Sequence, residues 1–87
     1  MAVGIKGHSV AVFAGTMEDV SFGGALIRTS RPPPPGTSLD VVVMRDDGPP
    51  LSLKASVYRV GPDWVGVAWG PLGDPERAFL AAVLASG

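Results

Sequence analysis

Residues 18–27 read EDVSFGGALI, a stretch that passes from acidic and polar residues through two glycines into an apolar run. The segment Ala25–Thr29 has the apolar and β-branched composition of a strand, and glycines just before a strand suit a tight turn. Asp19, Ser21 and Gly24 therefore stand at the spacing D-x-S-x-x-G where a turn is predicted to lead into a strand.

Further strands are predicted on both sides of this stretch. Leu51–Tyr58 alternates between apolar and polar residues, and its phase slips near Arg59, which indicates a bulge or the strand end. Asp47-Gly48, within the segment Arg45–Pro50, is a hairpin turn signal. The remaining strands are predicted at His8–Ala14, Leu39–Val43 and Trp64–Trp69. Short strands at hairpin spacing predict a mainly β fold, a small antiparallel barrel of five to six strands.

The carboxy-terminal segment, DPERAFLAAVLAS, has the period of a helix. Asp74 suits the N-cap and Pro75 the first helical position. One apolar stripe is formed by Phe79, Leu80, Val83 and Leu84. We predict that this stripe caps an open side of the barrel. In the alternative interpretation, the alanine-rich remainder of the helix contacts a partner protein or a second copy.

Four consecutive prolines lie within the segment Ser30–Ser38, SRPPPPGTS. Proline has no backbone donor for a strand ladder, so this segment is predicted to be a stiff, extended loop. A polyproline ligand for an aromatic-lined groove is the alternative. The strands predicted close by on both sides favour a rigid connection.

The composition indicates one small domain over residues 1–87 and excludes several kinds of function. Seven Lys and Arg against eight Asp and Glu give no bulk charge for binding DNA or an anionic membrane. Cysteine is absent, which excludes disulfides and thiolate metal sites. The longest apolar stretch is far shorter than the roughly 20 residues that span a bilayer, and no signal-peptide pattern is present. We expect a cytoplasmic protein without a metal site, DNA binding or membrane insertion.

An enzymatic function finds little support in the residue types. There is one His, and the adjacent carboxylates Asp46 and Asp47 lie in a predicted turn. Neither a nucleophile with its base nor a metal-ligand spacing can be assembled from these residues. We predict no catalytic residues.

The order of these elements, with D-x-S-x-x-G ahead of the strand that begins Ala25-Leu26-Ile27, resembles the PilZ family of bacterial signalling domains. The resemblance extends from about residue 8 onward. Family members with full motifs bind cyclic di-GMP. The resemblance therefore implies cyclic di-GMP as the ligand to consider, with no other cofactor required.

The resemblance points to residues of the predicted turn as a nucleotide site. Asp19 and Ser21 are candidates for reading a guanine edge, which offers donors at N1 and N2 and acceptors at O6 and N7. Gly23 and Gly24 would let the backbone approach the ligand or adopt positive φ. The alternative is that Asp19 and Ser21 bond to the amides of their own turn.

This sequence differs from the family pattern in its arginines. PilZ receptors carry R-x-x-x-R ahead of the first strand, and its guanidinium groups hold phosphates and stack on guanine. Residues 1–8 read MAVGIKGH, in which Lys6 and the weakly basic His8 are the cations. Arg28 and Arg31 are candidates for a basic patch near Ser21, and a solvated strand end is the alternative. Losing two charge-assisted contacts of roughly 1.5–3 kcal/mol each weakens binding at least about a hundredfold.

Three functions follow from this sequence. The favoured one is a non-enzymatic, PilZ-like regulatory module of cyclic di-GMP signalling or motility that acts by protein contact, with weak or absent nucleotide binding. The second is a true cyclic di-GMP receptor whose arginines lie upstream or on a partner. The third is an unrelated small β-barrel interaction domain. Trp64 and Trp69 fall on opposite faces of one predicted strand, so one is a candidate exposed contact residue.

Overall fold

The protein, seen here in a computed structural model that describes residues 2–7, 12–45 and 48–86, is a closed antiparallel barrel with one helix. The strands follow one another around the barrel in the order β1-β2-β3-β6-β5-β4. The predicted barrel is confirmed, with six strands. The elements are β1 (Ala2–Gly7), β2 (Val12–Val20), β3 (Gly24–Arg28), β4 (Ser38–Val43), β5 (Leu51–Val60), β6 (Trp64–Trp69) and α1 (Asp74–Ser86).

The amino-terminal strands differ from the prediction. Of the strand predicted at His8–Ala14, residues 12–14 belong to β2, and the sequence did not predict β1 at Ala2–Gly7. Val3 and Ile5 are buried in the barrel, and β1 pairs with β2 on one side and β4 on the other. This double pairing stabilises β1, whose glycines lower its intrinsic β-strand propensity. Residues 8–11, and Asp46 and Asp47 of the predicted turn, lie outside the described residues.

Inward-facing side chains from all six strands form the core, as strict alternation on a closed sheet requires. The helix adds Leu80, which is fully buried, whereas Leu84 of the predicted stripe is 37% exposed. The stripe therefore caps the barrel mainly through Leu80, with Phe79 partly buried against the core. The buried apolar residues are Val3, Ile5, Met17, Ala25, Ile27, Leu39, Val41, Val43, Leu53, Ala55, Val57, Val65, Val67 and Leu80.

Two register shifts interrupt the pairing of the described strands. One lies between Glu18 and Val20, where β2 pairs with β3, and makes Asp19 the extra residue of a bulge. The other lies between Val57 and Arg59, where β5 pairs with β6, and Tyr58 is the extra residue. The bulge predicted near the end of this strand is thereby confirmed. Both bulges direct a side chain to the outer surface of the barrel.

The proline segment connects β3 to β4 over the surface of the barrel. The N–H of Thr37 donates to the carbonyl oxygen of Pro34 at 3.3 Å, which closes a turn. Within this turn, the N–H of Gly36 donates to the carbonyl oxygen of Val57 at 2.8 Å, and the N–H of Val57 donates to that of Thr37 at 2.9 Å. The segment is thus tied to β5, in agreement with the predicted rigid connection.

Candidate nucleotide site

The β2–β3 hairpin turns between Ser21 and Gly24. The N–H of Ser21 donates to the carbonyl oxygen of Gly24 at 2.8 Å. Ser21 Oγ accepts the N–H groups of Gly23 and Gly24 at 3.2 Å each and donates to the carbonyl oxygen of Gly24 at 3.3 Å. A hydroxyl has one donor and two acceptor positions, so the turn uses all of them. This geometry favours the alternative interpretation for Ser21, in which its hydroxyl shapes its own turn.

Asp19 differs from Ser21 in both backbone and side chain. Its φ is 33°, in the left-handed region, which costs a residue with a Cβ roughly 1–2 kcal/mol. Its carboxylate is exposed and makes no hydrogen bond or ion pair with any residue that the structure describes. Backbone strain at an exposed, unpaired polar group is a reason to suspect a functional role.

The four predicted turn residues line one open depression of about 430 Å³ on the outer surface of the barrel. A Cβ at Gly24 would overlap the carbonyl oxygen of Val67, so the glycine is required by the close approach of β3 to β6. Positive φ, the alternative reason for glycine there, is not observed at Gly24. The depression is lined by Asp19, Ser21, Gly23, Gly24, Ala25, Leu26, Tyr58 and Val67.

Tyr58 is the residue of this depression that the sequence interpretation missed. It is 60% exposed, and its ring lies over Gly66, where an added Cβ would come within 3.2 Å of Tyr58 Cζ. The missing side chain at Gly66 therefore lets the ring pack against the sheet. An aromatic residue on the polar side of the alternating strand was the signal that could have found it.

Arg28 lies at the other end of β3 from the turn. Gly24 begins this strand and Arg28 ends it, about 13 Å away. Arg28 Nε donates to Glu18 Oε1 at 3.3 Å, and Nη1 donates to Asp63 Oδ2 at 2.9 Å. The hydrogen bond that Arg28 donates to Glu18, together with the charges of both carboxylates, raises the pKa of Arg28. Its guanidinium is thus engaged by two acids.

Arg31 also lies away from the depression. It follows β3 in the connection to β4, is exposed, and donates its backbone N–H to Thr29 Oγ1 at 3.3 Å. Arg59 is adjacent to Tyr58, and its guanidinium carbon lies 5.2 Å from the centre of the Trp64 ring. The described residues lining the depression include neither Lys nor Arg.

The depression therefore combines an acceptor with an aromatic face. The Asp19 carboxylate can accept from the N1 and N2 donors of a guanine edge, and the Tyr58 ring offers a surface for stacking a base. Phosphate oxygens would find no charged donor among the described lining residues. The arrangement suits a purine base better than a phosphodiester.

The bounds of β1 change how the arginine pattern is interpreted. Lys6 lies within β1, and the first strand begins at Ala2. Residues 2–7 of the segment MAVGIKGH are therefore part of the barrel and do not precede it. A family R-x-x-x-R segment, which comes ahead of the first strand, has no corresponding position in residues 2–86.

Residues 2–7, 12–45 and 48–86 contain neither a metal-ligand cluster nor a membrane-spanning helix. No group of three or more His, Cys, Asp or Glu side chains comes together there to hold a metal ion. Over the same residues, no helix has both the length and the apolar character needed to cross a membrane.

Both tryptophans of β6 are half-buried. Trp69 packs against the core and donates its Nε1–H to the carbonyl oxygen of Ser21 at 2.9 Å. Trp64 lies on the outer surface beneath Arg59. The last strand of the barrel thus holds the turn of the candidate site in place.

Comparison with known proteins agrees with this fold. The model of the PilZ domain matches residues 3–86. The crystal structure of the PilZ domain of CeSA, from a cellulose-synthesizing bacterium, superposes with a TM-score of 0.78 at 21% sequence identity, covering 99% of this chain and 90% of that one. No curated protein matches the sequence. With its six-stranded barrel, its carboxy-terminal helix and the family model matched over nearly its whole length, the chain belongs to the PilZ family of cyclic di-GMP signalling domains.

Proposed function

We propose that residues 1–87 act as a single, non-enzymatic regulatory module in cyclic di-GMP signalling or motility. The module acts by contact with a protein partner or a second copy, and its own residues bind cyclic di-GMP weakly. One observation carries this proposal: the depression at Asp19 has no cation among its described lining residues, and Arg28 is held by Glu18 and Asp63 at the other end of β3.

The energetic argument concerns the phosphates of the ligand. Each phosphate that loses a charge-assisted partner forfeits roughly 1.5–3 kcal/mol, so two losses shift a micromolar dissociation constant to about 100 μM or weaker. The base can still contact Asp19 and Tyr58. We therefore expect a residual, weak affinity that depends on the base.

Exposed aromatic side chains support the protein-contact part of the proposal. Phe22, at the tip of the β2–β3 turn, is 56% exposed, and Tyr58 is also well exposed. Aromatic residues are enriched in protein interfaces and in their energetic centres. A partner that covers this turn would bury both rings.

A true cyclic di-GMP receptor is the second candidate function. The strained backbone and unpaired carboxylate of Asp19, beside Tyr58 in an open depression, favour it. In this case the guanidinium groups come from a segment upstream of this sequence or from another subunit.

Titration calorimetry of the full chain with cyclic di-GMP at physiological salt separates the two candidates. We expect no saturable binding tighter than about 100 μM. A micromolar or tighter dissociation constant would overturn the weak-binding proposal and support the receptor.

The contact part is tested by a photo-crosslinking amino acid placed at position 22 in cells, with position 30 as the control. Phe22 and Ser30 are both exposed, but Ser30 lies in the β3–β4 connection. We expect a defined protein adduct from position 22 that is absent from position 30. Equal adducts from both positions would contradict a specific contact at the turn.

A further inference from the structure

The outer side of β5 connects the depression at Tyr58 with a second one. Lys54, Ser56 and Tyr58 are exposed along this strand, while Ala55 and Val57 between them are buried. Side chains two residues apart on a strand lie about 7 Å from one another, so the Cα atoms of Lys54 and Tyr58 are about 13 Å apart. We call Lys54, Ser56 and Tyr58 the β5 band.

The second depression has a volume of about 330 Å³ and lies against the lysine end of the β5 band. It is lined by Lys6, Ser38, Leu39, Asp40, Lys54, Ala55, Ser56 and Gly70. Ala68 of β6 pairs with Gly24 on one side and Ser56 on the other. The surface between Gly24 and Ser56 therefore carries only the methyl side chain of Ala68.

The lysine end of the β5 band is positively charged. Asp40 of β4 lies opposite Lys54 on one side and Lys6 on the other. Two ammonium groups and one carboxylate leave a net charge of +1 on this trio, and no ion pair within 4.0 Å joins its members. The hydroxyls of Ser38 and Ser56 add hydrogen-bond donors beside Lys54.

We propose that Asp19 and the β5 band form an extended binding site for a purine nucleotide. The base lies at Asp19 and Tyr58, and the phosphate lies at Lys54 and Ser56. This inference rests on the proposed function, because it identifies the residues on which the residual nucleotide affinity depends. Lysine is a point charge and cannot hold a phosphate with a planar pair of donors, which agrees with weak binding.

The chemistry assigns each end of the site to one part of the ligand. The carboxylate of Asp19 would repel a phosphate and accepts from a guanine edge, while Tyr58 stacks on its face. Lys54, with its ammonium in solvent, attracts the anionic part. The ligand therefore has one orientation along β5, with its phosphate toward β4.

The test is an NMR titration of the ¹⁵N-labelled full chain with guanosine and, separately, with cyclic di-GMP. We expect guanosine to shift the amide signals around Asp19 and Tyr58, and cyclic di-GMP to shift those of Lys54 and Ser56 as well. Lys54→Gln should weaken cyclic di-GMP binding about tenfold, the equivalent of about 1.4 kcal/mol, and leave guanosine binding unchanged. The backbone spectrum of each variant reports its folding.

Arg31→Gln is the control, because it removes one positive charge from an exposed side chain that lines neither depression. We expect it to change cyclic di-GMP affinity less than about twofold, since Arg31 lies in the β3–β4 connection, away from the β5 band. Equal effects of the two substitutions, or no effect of Lys54→Gln, would overturn the extended site. A tight wild-type affinity would instead overturn the weak-binding proposal, so the two failures are distinguishable.

Discussion

Trp69 donates its indole N–H to the carbonyl oxygen of Ser21 at 2.9 Å, which ties the end of β6 to the β2–β3 turn. The two residues are 48 positions apart in the sequence. The backbone N–H of Trp69 also donates to the carbonyl oxygen of Gly23 at 3.0 Å. The turn that bears the PilZ pattern therefore depends on the last strand of the barrel for its position.

Trp69→Phe tests this dependence. The substitution removes the indole donor, so we expect the free energy of unfolding to fall by about 1 kcal/mol. Amide hydrogen exchange at Ser21 should accelerate, because the turn loses one of its restraints. Trp64→Phe is the control: it removes a half-buried indole of the same strand that does not contact the turn. Equal exchange rates at Ser21 in the two variants would contradict the proposed role of Trp69.

Gly24→Val tests the close approach of β3 to β6. Its Cβ would overlap the carbonyl oxygen of Val67, and backbone cannot move aside as a flexible side chain does. We expect a loss of about 2 kcal/mol or more in urea unfolding, within the range for overpacked sites. Gly23→Ala is the matched control, because the nearest atom to its Cβ is Ser21 Oγ at 3.8 Å. It should change stability by less than about 0.5 kcal/mol. Similar losses in both variants would point to turn flexibility rather than strand contact.

Substitutions at Asp19 should separate the effect of its backbone conformation on stability from the effect of its carboxylate on binding. Glycine adopts positive φ without penalty, so Asp19→Gly should be more stable than Asp19→Ala by about 1 kcal/mol. Both substitutions remove the carboxylate, and we expect both to abolish the guanosine-induced shift at Tyr58. Thermal or urea unfolding, with the guanosine titration, measures the two effects. An alanine variant as stable as the glycine variant would argue against left-handed backbone at this position.

Leu80 should account for most of the attachment of α1 to the barrel. It is fully buried, so Leu80→Ala is expected to cost about 2–5 kcal/mol. Leu84→Ala shortens a side chain of the same helix that is partly exposed, and should cost less than about 1 kcal/mol. Urea unfolding followed by far-ultraviolet circular dichroism compares them. Comparable losses would mean that the helix is held by its whole apolar stripe.

Local patterns predicted the second half of the fold well. The bounds of the helix, Asp74–Ser86, agree with the prediction, because capping residues and a change of period mark them in the sequence itself. Leu51–Val60 was likewise visible from its alternation. In contrast, β2 continues through Glu18 and Asp19, which disfavour strands, because pairing with β3 and a bulge accommodate them.

The candidate site was only partly visible in the sequence. The pattern D-x-S-x-x-G located the turn, and the structure places its residues in one depression. Arg28 forms ion pairs with Glu18, 10 positions away in the sequence, and with Asp63, 35 positions away. These pairs follow from the order of the strands in the barrel rather than from local sequence spacing. Tyr58 reaches the site for the same reason, through the pairing of β5 with β6.

Closure of the sheet has a consequence for assembly. Every strand that the structure describes has a hydrogen-bonded neighbour on both sides, so this part of the barrel has no free edge onto which another chain could add a strand. Many copies could be crowded together, or tethered side by side in a larger complex, without cross-β pairing between their barrels. Recognition of this domain must then rely on side chains, and a substitution on its surface can change a partner without unravelling the sheet.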